Sequence, residues 1–199
     1  MKKSKRKVVV LTSLASLLTL TSALLLALAP PPLAAEGYNS LWAADHDEFL
    51  DDIFKTAVTT HPNQWKYIYI HHSDTADGNA DTLAVPKAGL CDHFVIGNGK
   101  GCQDGEIQVG PRWSRQESPA APPGVDHIEP GCISICLIGD FDRTMPTPMQ
   151  LRRLTQLVNT LQSQLRIGSD KVILLSQPGT PSGVGRYFPV TAFRDQILP

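Results

Sequence analysis

Three short apolar runs constrain the fold of this 199-residue chain most strongly. They are YIYIHH at 67–72, CISICLIG at 132–139 and KVILL at 171–175. Runs of β-branched and aromatic residues of this length are typical of central strands that are covered on both faces. HFVI at 93–96 and EIQVG at 106–110 flank a glycine-rich turn and predict a hairpin. The sequence therefore predicts a sheet with a buried centre.

Helical patterns alternate with these strands. Residues 45–59 and 190–198 show apolar positions at helical spacing. Thr147, with Pro148 next and Gln150 three positions on, has the pattern of a helix N-cap with its capping box. One apolar stripe follows, made of Leu151, Leu154, Leu157, Val158, Leu161 and Leu165. The alternation predicts an α/β or α+β domain with a single mixed central β-sheet flanked by helices.

The first 35 residues differ from the rest of the chain. Five basic residues precede an uncharged run from position 8 to position 29, and small residues follow it. This pattern predicts an export signal, although the run is also long enough for an uncleaved membrane anchor. We therefore expect residues 1–35 to be a signal peptide or anchor, 36–64 a helical lead and 65–199 the folded domain. The expected location is the periplasm or cell envelope, with attachment to the membrane only through an uncleaved N-terminal segment.

Charge argues against nucleic acid as a partner. The chain has 18 basic and 19 acidic side chains, and the first 35 residues hold five of the basic ones and none of the acidic ones. The remaining residues thus carry a net charge of −6, whereas a surface that binds phosphates is expected to be basic.

Four cysteines raise the question of disulfides in an exported protein. Cys132 and Cys136 are four residues apart on a predicted strand, about 13 Å at ~3.3 Å per residue, which is too far for a bond. Cys136 is most simply a small buried residue. A bond between Cys91 and Cys102 stays open, because the glycine-rich loop between them could fold back.

Three blocks of sequence resemble a known family. WKYIYIHHSDT, DHFVIGNGKGCQDGEIQVGPRW and ISICLIGDFDRTMPTPMQ are similar, in this order, to the type 2 N-acetylmuramoyl-L-alanine amidases and the peptidoglycan recognition proteins. The likeness runs from about Trp65 to Pro189 and implies their fold. In that family a zinc ion polarises water and the amide carbonyl between N-acetylmuramic acid and L-alanine.

The resemblance implies that His71 is the first zinc ligand and that His72 is a structural neighbour. The family takes its other two ligands from a C-terminal arm, which matches VILLSQPGTPSGVGRYFP here. Gln177, or Ser176 in the neighbouring register, then stands in place of a histidine, and Gly183 in place of a cysteine. Neither Gln177 nor Gly183 is a usual zinc ligand. We therefore expect no cofactor, and zinc only if the ligand set is rearranged.

A rearranged set has two further candidates. Asp92 stands where the family often has a tyrosine, and His127 resembles a histidine that many members place at the substrate groove. His71, Asp92 and His127 could hold zinc if they converge. Otherwise His71 caps a strand, Asp92 is solvated and His127 lies in a loop. Both Asp92 and His127 are also weak candidates for a catalytic role.

The resemblance leads to three hypotheses of function. The first is a protein that binds peptidoglycan or muropeptides with hydrolysis lost or impaired. Its expected contacts are Arg112, Trp113 and His127, although Trp113 could equally be half-buried beneath a surface loop predicted at 111–131. The second is an active zinc amidase with a rearranged ligand set. The third is a membrane-anchored interaction protein that binds no ligand.

Overall fold

The computed structural model describes residues 39–41, 52–120, 129–175 and 184–199, together with Thr19 and Thr21. The chain divides into two compact units, Met1–Glu36 and Gly37–Pro199. In the first unit Thr19 and Thr21 are helical, and the rest of the expected signal or anchor lies outside the described residues. No helix in the described part of the chain is long and apolar enough to cross a membrane.

The second unit is built on one six-stranded mixed sheet. The strands are β1 Asn39–Leu41, β2 Tyr67–His72, β3 Phe94–Ile96, β4 Ile107–Val109, β5 Cys132–Leu137 and β6 Val172–Leu174. The order across the sheet is β1-β4-β3-β5-β2-β6. β2, β3, β5 and β6 run parallel, while β4 is antiparallel to its neighbours β3 and β1. The structure confirms the predicted mixed central sheet.

Four helices complete the unit within the described residues. They are α1 Ala80–Leu83, α2 Pro111–Ser114, α3 Pro148–Leu165 and α4 Val190–Arg194, with 3₁₀ turns at Pro62–Gln64 and Ser169–Lys171. α3 begins where the sequence predicts, with Thr147 as its N-cap and Gln150 completing the capping box. α4 ends four residues before the predicted end, because Leu198 docks on α3 through the Asn159 and Gln162 side chains.

The two faces of the sheet differ in what covers them. Alternation along β2 places Ile68 and Ile70 on the face where the α3 stripe joins the main hydrophobic core. His71 points to the opposite face, where Cys136 belongs to a smaller core with Val95 and Ile138. Ala80 of α1 and the following Leu90 pack into that smaller core. The segment between β2 and β3 therefore covers the face that carries His71.

The predicted helix at 45–59 is corrected at its end, because Asp52 is the one helical residue in its described part. Residues 53–59 form turns and irregular structure, although Ile53 is buried as the apolar pattern predicts. The backbone N–H groups of Ala57 and Val58 donate to the Ser114 carbonyl of α2 rather than to carbonyls one helical turn back. Tertiary hydrogen bonds thus replace the helical ones in this segment.

The surface loop predicted at 111–131 is also corrected. The segment begins with α2, whose first residue Pro111 suits the first helical turn. Trp113 within α2 is fully buried. Residues 121–128 lie outside the described part, so the correction concerns the first ten residues of the segment.

All four cysteines are free thiols. The bond between Cys91 and Cys102 that the sequence leaves open is therefore not formed. Cys136 is buried, with 1% of its surface exposed, as the sequence predicts.

Candidate functional site

Three strands of the sheet bring a polar cluster together beneath the covering segment. His71 is the fifth residue of β2 and lies directly across from Cys136 of β5. Cys136 lies across from Val95 of β3 on its other side, and Asp92 comes two residues before β3. His71, Asp92, Ser134 and Cys136 are 6%, 4%, 1% and 1% exposed. We call these four residues the His71 cluster.

The Asp92 carboxylate is the centre of this cluster. His71 Nε2 lies 2.8 Å from Asp92 Oδ1. The Ser134 hydroxyl donates a short hydrogen bond to the same oxygen, and Ser134 Oγ lies 3.5 Å from His71 Nε2. The interpretation of Asp92 as a solvated residue is therefore wrong, because its carboxylate is buried and partnered by two side chains.

Burial and pairing act in opposite directions on the pKa values of His71 and Asp92. Burial lowers the pKa of the His71 imidazole, but the charge and hydrogen bond of Asp92 outweigh it, and the pKa is raised overall. Burial raises the pKa of the Asp92 carboxyl, but His71 and the Ser134 hydroxyl outweigh it, and that pKa is lowered overall. Pairing therefore favours the protonated form of the His71 imidazole and the ionised form of the Asp92 carboxyl.

Cys136 contributes a thiol to the same cluster. One ligand atom from each of His71, Asp92 and Cys136 lies within 4.8 Å of the other two. Burial first, and then the Asp92 charge, raise the pKa of the Cys136 thiol well above its ordinary value. Without a metal ion the thiol is therefore protonated.

The two remaining histidines near the cluster are structural. His72 points to the α3 face, where its ring lies 5.4 Å from that of Phe141, as predicted for a turned-away neighbour. His93 accepts a hydrogen bond from the Ser134 N–H at Nδ1 and donates one from Nε2 to the Glu117 carbonyl. Burial lowers the pKa of His93 to about 4, so the ring is neutral.

Arg112 and Trp113, the ligand contacts that the sequence predicts, both bond to the backbone of this chain. The Arg112 guanidinium donates to the carbonyls of Leu90, Ser118 and Ala88, so it holds the chain around it together. The Trp113 indole is fully buried and donates to the Ile53 carbonyl. A core position explains Trp113 better than a half-buried one.

His127, Gln177 and Gly183 lie outside the described residues, as does Ser176. The rearranged set of His71, Asp92 and His127 therefore has two members that the structure brings together, His71 and Asp92. The sequence missed Ser134 and Cys136 as their neighbours. The signal was the alternation of small side chains with isoleucine along β5, which places Cys132, Ser134 and Cys136 on one face.

A separate surface cleft of about 330 Å³ lies at the carboxyl ends of β3 and β5, beside the start of α3. The GDFDRTMPT segment at 139–147 forms one side of it. Asn98 and Lys100 of the glycine-rich turn lie on the other side. Arg143, whose side chain is 85% exposed, pairs with Asp140 at 3.1 Å. The cleft thus offers polar and cationic groups at the surface, in contrast to the buried His71 cluster.

Comparison with known proteins defines the class of this chain. A sequence model described as N-acetylmuramoyl-L-alanine amidase matches residues 61–180, more than half of the chain. The chain therefore belongs to the N-acetylmuramoyl-L-alanine amidase family and is a peptidoglycan-related, amidase-like protein. A search of curated proteins finds no match.

Several solved structures show distant similarity. The endolysin amidase LysCS from Clostridium intestinale URNW is 18% identical, with 71% of this chain and 89% of that chain covered and a TM-score of 0.45. Bumblebee PGRP-SA is 17% identical, with 64% and 80% covered and a TM-score of 0.46. Human PGRP-IBETAC, solved in complex with glycosamyl muramyl pentapeptide, is 16% identical, with 66% and 82% covered and a TM-score of 0.45.

The residues around His71 do not fit the open zinc site that the family resemblance implies. A catalytic zinc needs three protein ligands and a fourth position open to water or substrate. The donors His71, Asp92 and Cys136 are of suitable types, but all three are buried beneath the segment between β2 and β3. The described donors are therefore largely shielded from solvent, unlike the ligands of an open site.

Proposed function

We propose that this protein is an exported, cell-envelope protein that binds peptidoglycan or muropeptides and in which amide hydrolysis is lost or impaired. The observation that carries the proposal is the closed His71 cluster. His71, the one retained family ligand, pairs with Asp92 at 2.8 Å beneath a covering segment. Gln177 and Gly183 at the other two ligand positions support the same conclusion.

Loss of hydrolysis follows from the chemistry of amides. An amide is a poor electrophile, and the family relies on a Lewis acid to polarise its carbonyl. The negative Asp92 carboxylate would repel the developing oxyanion. General-base assistance alone gives about 10²–10⁴-fold acceleration, whereas most enzymes reach ~10⁶-fold or more.

The surface cleft beside α3 is the contact surface that we propose for the ligand. Stem peptides carry carboxylates, and sugars carry hydroxyl groups. Lys100 and Arg143 supply cations, and Asn98 supplies an amide, at the rim of the cleft. Hydrogen bonds to charged groups are worth roughly 1.5–3 kcal/mol each. Asp74 and Asp140 also line the cleft, so a ligand carboxylate would compete with Asp140 for Arg143.

The second candidate function is an active zinc amidase with a rearranged ligand set. One observation favours it, because His71, Asp92 and Cys136 bring three donor atoms within 4.8 Å of one another. For hydrolysis to occur, the covering segment would have to move away and expose the cluster. The two candidates differ in whether stem peptides are released.

The first test is incubation of the full chain with insoluble peptidoglycan, with and without added zinc. We expect the protein to sediment with the polymer. We also expect mass spectrometry of the soluble fraction to show no new stem peptides that begin with L-alanine. Release of such peptides in the zinc sample would support the amidase instead. A failure to sediment would support the interaction protein that binds no ligand.

Charge variants test the cleft as the contact surface. The double variant Lys100→Ala, Arg143→Ala should weaken binding to soluble muropeptides at least about tenfold, because it removes two charge-assisted contacts. Arg152→Ala is the matched control, since Arg152 is exposed on α3 and does not line the cleft. Equal binding by the double variant and the control would contradict this assignment.

A further inference from the structure

A second cleft, of about 420 Å³, lies at the end of the sheet opposite the surface cleft. Three segments line it, namely the residues that lead into β2, the end of α3, and the 3₁₀ turn before β6. Its volume is within the roughly 300–1,000 Å³ that is typical of small-molecule sites. The length of strand β2, about 17 Å at ~3.3 Å per residue, separates the two clefts.

Positive charge is concentrated in the second cleft. Each of its three segments contributes one cation, and these are Lys66, Arg166 and Lys171. Asp170 is the single carboxylate among the described lining residues, so the cleft carries a net charge of +2. The chain beyond its first 35 residues carries −6 in total. A positive cleft in an acidic domain raises the local concentration of anions.

The three cations are available to a ligand. The Lys66 and Arg166 side chains make no hydrogen bond or ion pair with residues in the described part of the chain. Lys171 pairs with Asp170 at 3.0 Å, but the two side chains are 48% and 72% exposed, and exposed pairs contribute little. Lys171 Nζ also lies 5.8 Å from the centre of the Tyr67 ring, which holds the ammonium beside the cleft.

The end of α3 gives Arg166 a structural role of its own. Arg166 is the C-cap residue with φ 58° and ψ 44°, in the left-handed region where glycine is the usual residue. A cation at this point interacts favourably with the helix dipole. That role does not extend to Lys66, which comes from the segment before β2. Because the helix end itself repels anions, the attraction for a ligand has to come from the cations.

We infer that the second cleft binds a phosphate monoester, with its phosphate group among Lys66, Arg166 and Lys171. A phosphate monoester carries about −1.5 to −2 charge at pH 7 and three strong acceptor oxygens, which match the net charge of the cleft. The guanidinium can donate two parallel hydrogen bonds to phosphate, and the lysines act as point charges. A carboxylate or a phosphodiester carries one negative charge and balances only half of the positive charge. This site is separate from the surface cleft and does not depend on the proposed function.

An NMR titration of the full chain with glycerol phosphate tests the site. We expect saturable shifts of the backbone amide signals of Lys66, Arg166 and Lys171. Acetate and dimethyl phosphate, which each carry one charge, should bind at least about tenfold more weakly, because they lose charge-assisted contacts. The five basic residues near the N-terminus are present in every variant, so an effect of substitution in the cleft belongs to the cleft.

The variant Arg166→Gly separates binding from helix capping. Glycine suits the left-handed backbone, so the urea midpoint should not fall. Binding of glycerol phosphate should nevertheless weaken about tenfold or more, and Lys66→Ala should have the same effect. Arg152→Ala is the matched control, since Arg152 is an exposed arginine of the same helix and does not line the cleft. It should bind as the unchanged protein does.

Three results would overturn the inference. These are the lack of saturable shifts at the cleft, equal affinity for acetate and glycerol phosphate, and unchanged binding by Arg166→Gly and Lys66→Ala. If Arg166→Gly proves to be unstable, Lys66→Ala decides, because Lys66 is exposed and lies outside the helices. No peptidoglycan is present in these titrations, so their failure is separate from failure of the proposed function.

Discussion

At the residue scale, burial decides what each ionisable side chain can do. The carboxylate of Asp92 and the imidazole of His71 would each be costly to bury alone, and removal of one partner from a buried pair typically costs about 3–5 kcal/mol. Pairing makes both charges tolerable beneath the covering segment. The same burial makes the cysteine thiols poor nucleophiles, because the thiolate is the charged form.

Cys102 provides a prediction about thiol reactivity. Burial first, and then the Glu106 charge, raise the pKa of the Cys102 thiol from 9.0 to about 11. The thiolate fraction at pH 8 is therefore about 100-fold lower than for an unperturbed thiol, and it rises about tenfold for each pH unit up to about pH 10. Alkylation of the folded protein by iodoacetamide should follow this slope, as measured by peptide mass spectrometry.

The control for this prediction is Cys102→Ser. Cys102 is the most exposed of the four cysteines, so the variant should remove the first site of alkylation. A rate at Cys102 that does not change between pH 8 and pH 10 would contradict the raised pKa. So would a rate at pH 8 equal to that of a free thiol.

The sequence predicted the candidate site only in part, and particular residues show why. His71 could be found because its position in the HH pair carries the family resemblance. The partnership with Asp92 depends on how a strand and a loop 21 residues apart meet, which no local pattern determines. Cys136 was missed because a cysteine in an apolar strand has the same pattern whether it fills the core or faces a carboxylate.

At the scale of elements, the start of α3 connects the helix to the sheet. The Thr147 hydroxyl accepts from the Gln150 N–H at 3.0 Å, and Gln150 Oε1 accepts from the Thr147 N–H at 3.1 Å. Gln150 Nε2 also donates to the carbonyl of Ile96, the last residue of β3, and to that of Ile138, the residue after β5. The Gln150 side chain thus links the start of α3 to the strand ends that border the surface cleft.

Substitutions at this cap should differ in cost. Thr147→Ala should lower the free energy of unfolding by about 1 kcal/mol, the usual loss for an N-cap. Gln150→Ala should cost more, about 2–3 kcal/mol, because it also removes the side-chain donor to the Ile138 carbonyl and one of two donors to the Ile96 carbonyl, which keeps the Ile138 N–H. Urea denaturation of both variants measures these values.

Gln164→Ala is the control for these substitutions, since Gln164 is an exposed residue of the same helix. It should change the free energy of unfolding by no more than about 0.5 kcal/mol. If Gln150→Ala cost no more than Gln164→Ala, the role of the Gln150 side chain as a link between helix and sheet would be wrong.

The elements could be predicted where local chemistry determines them. The limits of α3 follow from its capping box and its apolar stripe, both readable in the sequence. The strands follow from their composition, but the order β1-β4-β3-β5-β2-β6 depends on packing between distant segments. The end of the helix expected at 45–59 was wrong for the same reason, since Ala57 and Val58 are held by hydrogen bonds to Ser114.

At the scale of the whole molecule, aromatic packing joins the segment between β1 and β2 to the sheet. Trp113 of α2 lies between them, with ring centroids 6.0 Å from Phe54, 5.6 Å from Trp65 and 5.0 Å from Phe94. Its indole N–H donates to the Ile53 carbonyl. The sequence identified Trp113 as a ligand contact because it lies in a family-like block, whereas its burial assigns it to the core.

Replacement of Trp113 distinguishes these two roles. Trp113→Ala should lower the free energy of unfolding by about 3–5 kcal/mol, the usual cost of deleting a large buried aromatic side chain. That is a large part of the roughly 5–15 kcal/mol typical of a whole domain, so this variant is expected to be at most marginally folded. Trp113→Phe keeps most of the apolar volume and should remain folded, with a smaller loss from the missing indole donor.

The decisive measurement compares stability with ligand binding in the folded variants. Trp113→Phe should bind muropeptides as tightly as the unchanged protein while its urea midpoint falls, because the fully buried ring cannot touch a ligand. Tyr187→Ala removes a half-exposed aromatic ring and should cost less than about 1 kcal/mol, which makes it the surface control. If Trp113→Phe lost affinity for muropeptides at unchanged stability, Trp113 would contact the ligand and its assignment to the core would be wrong.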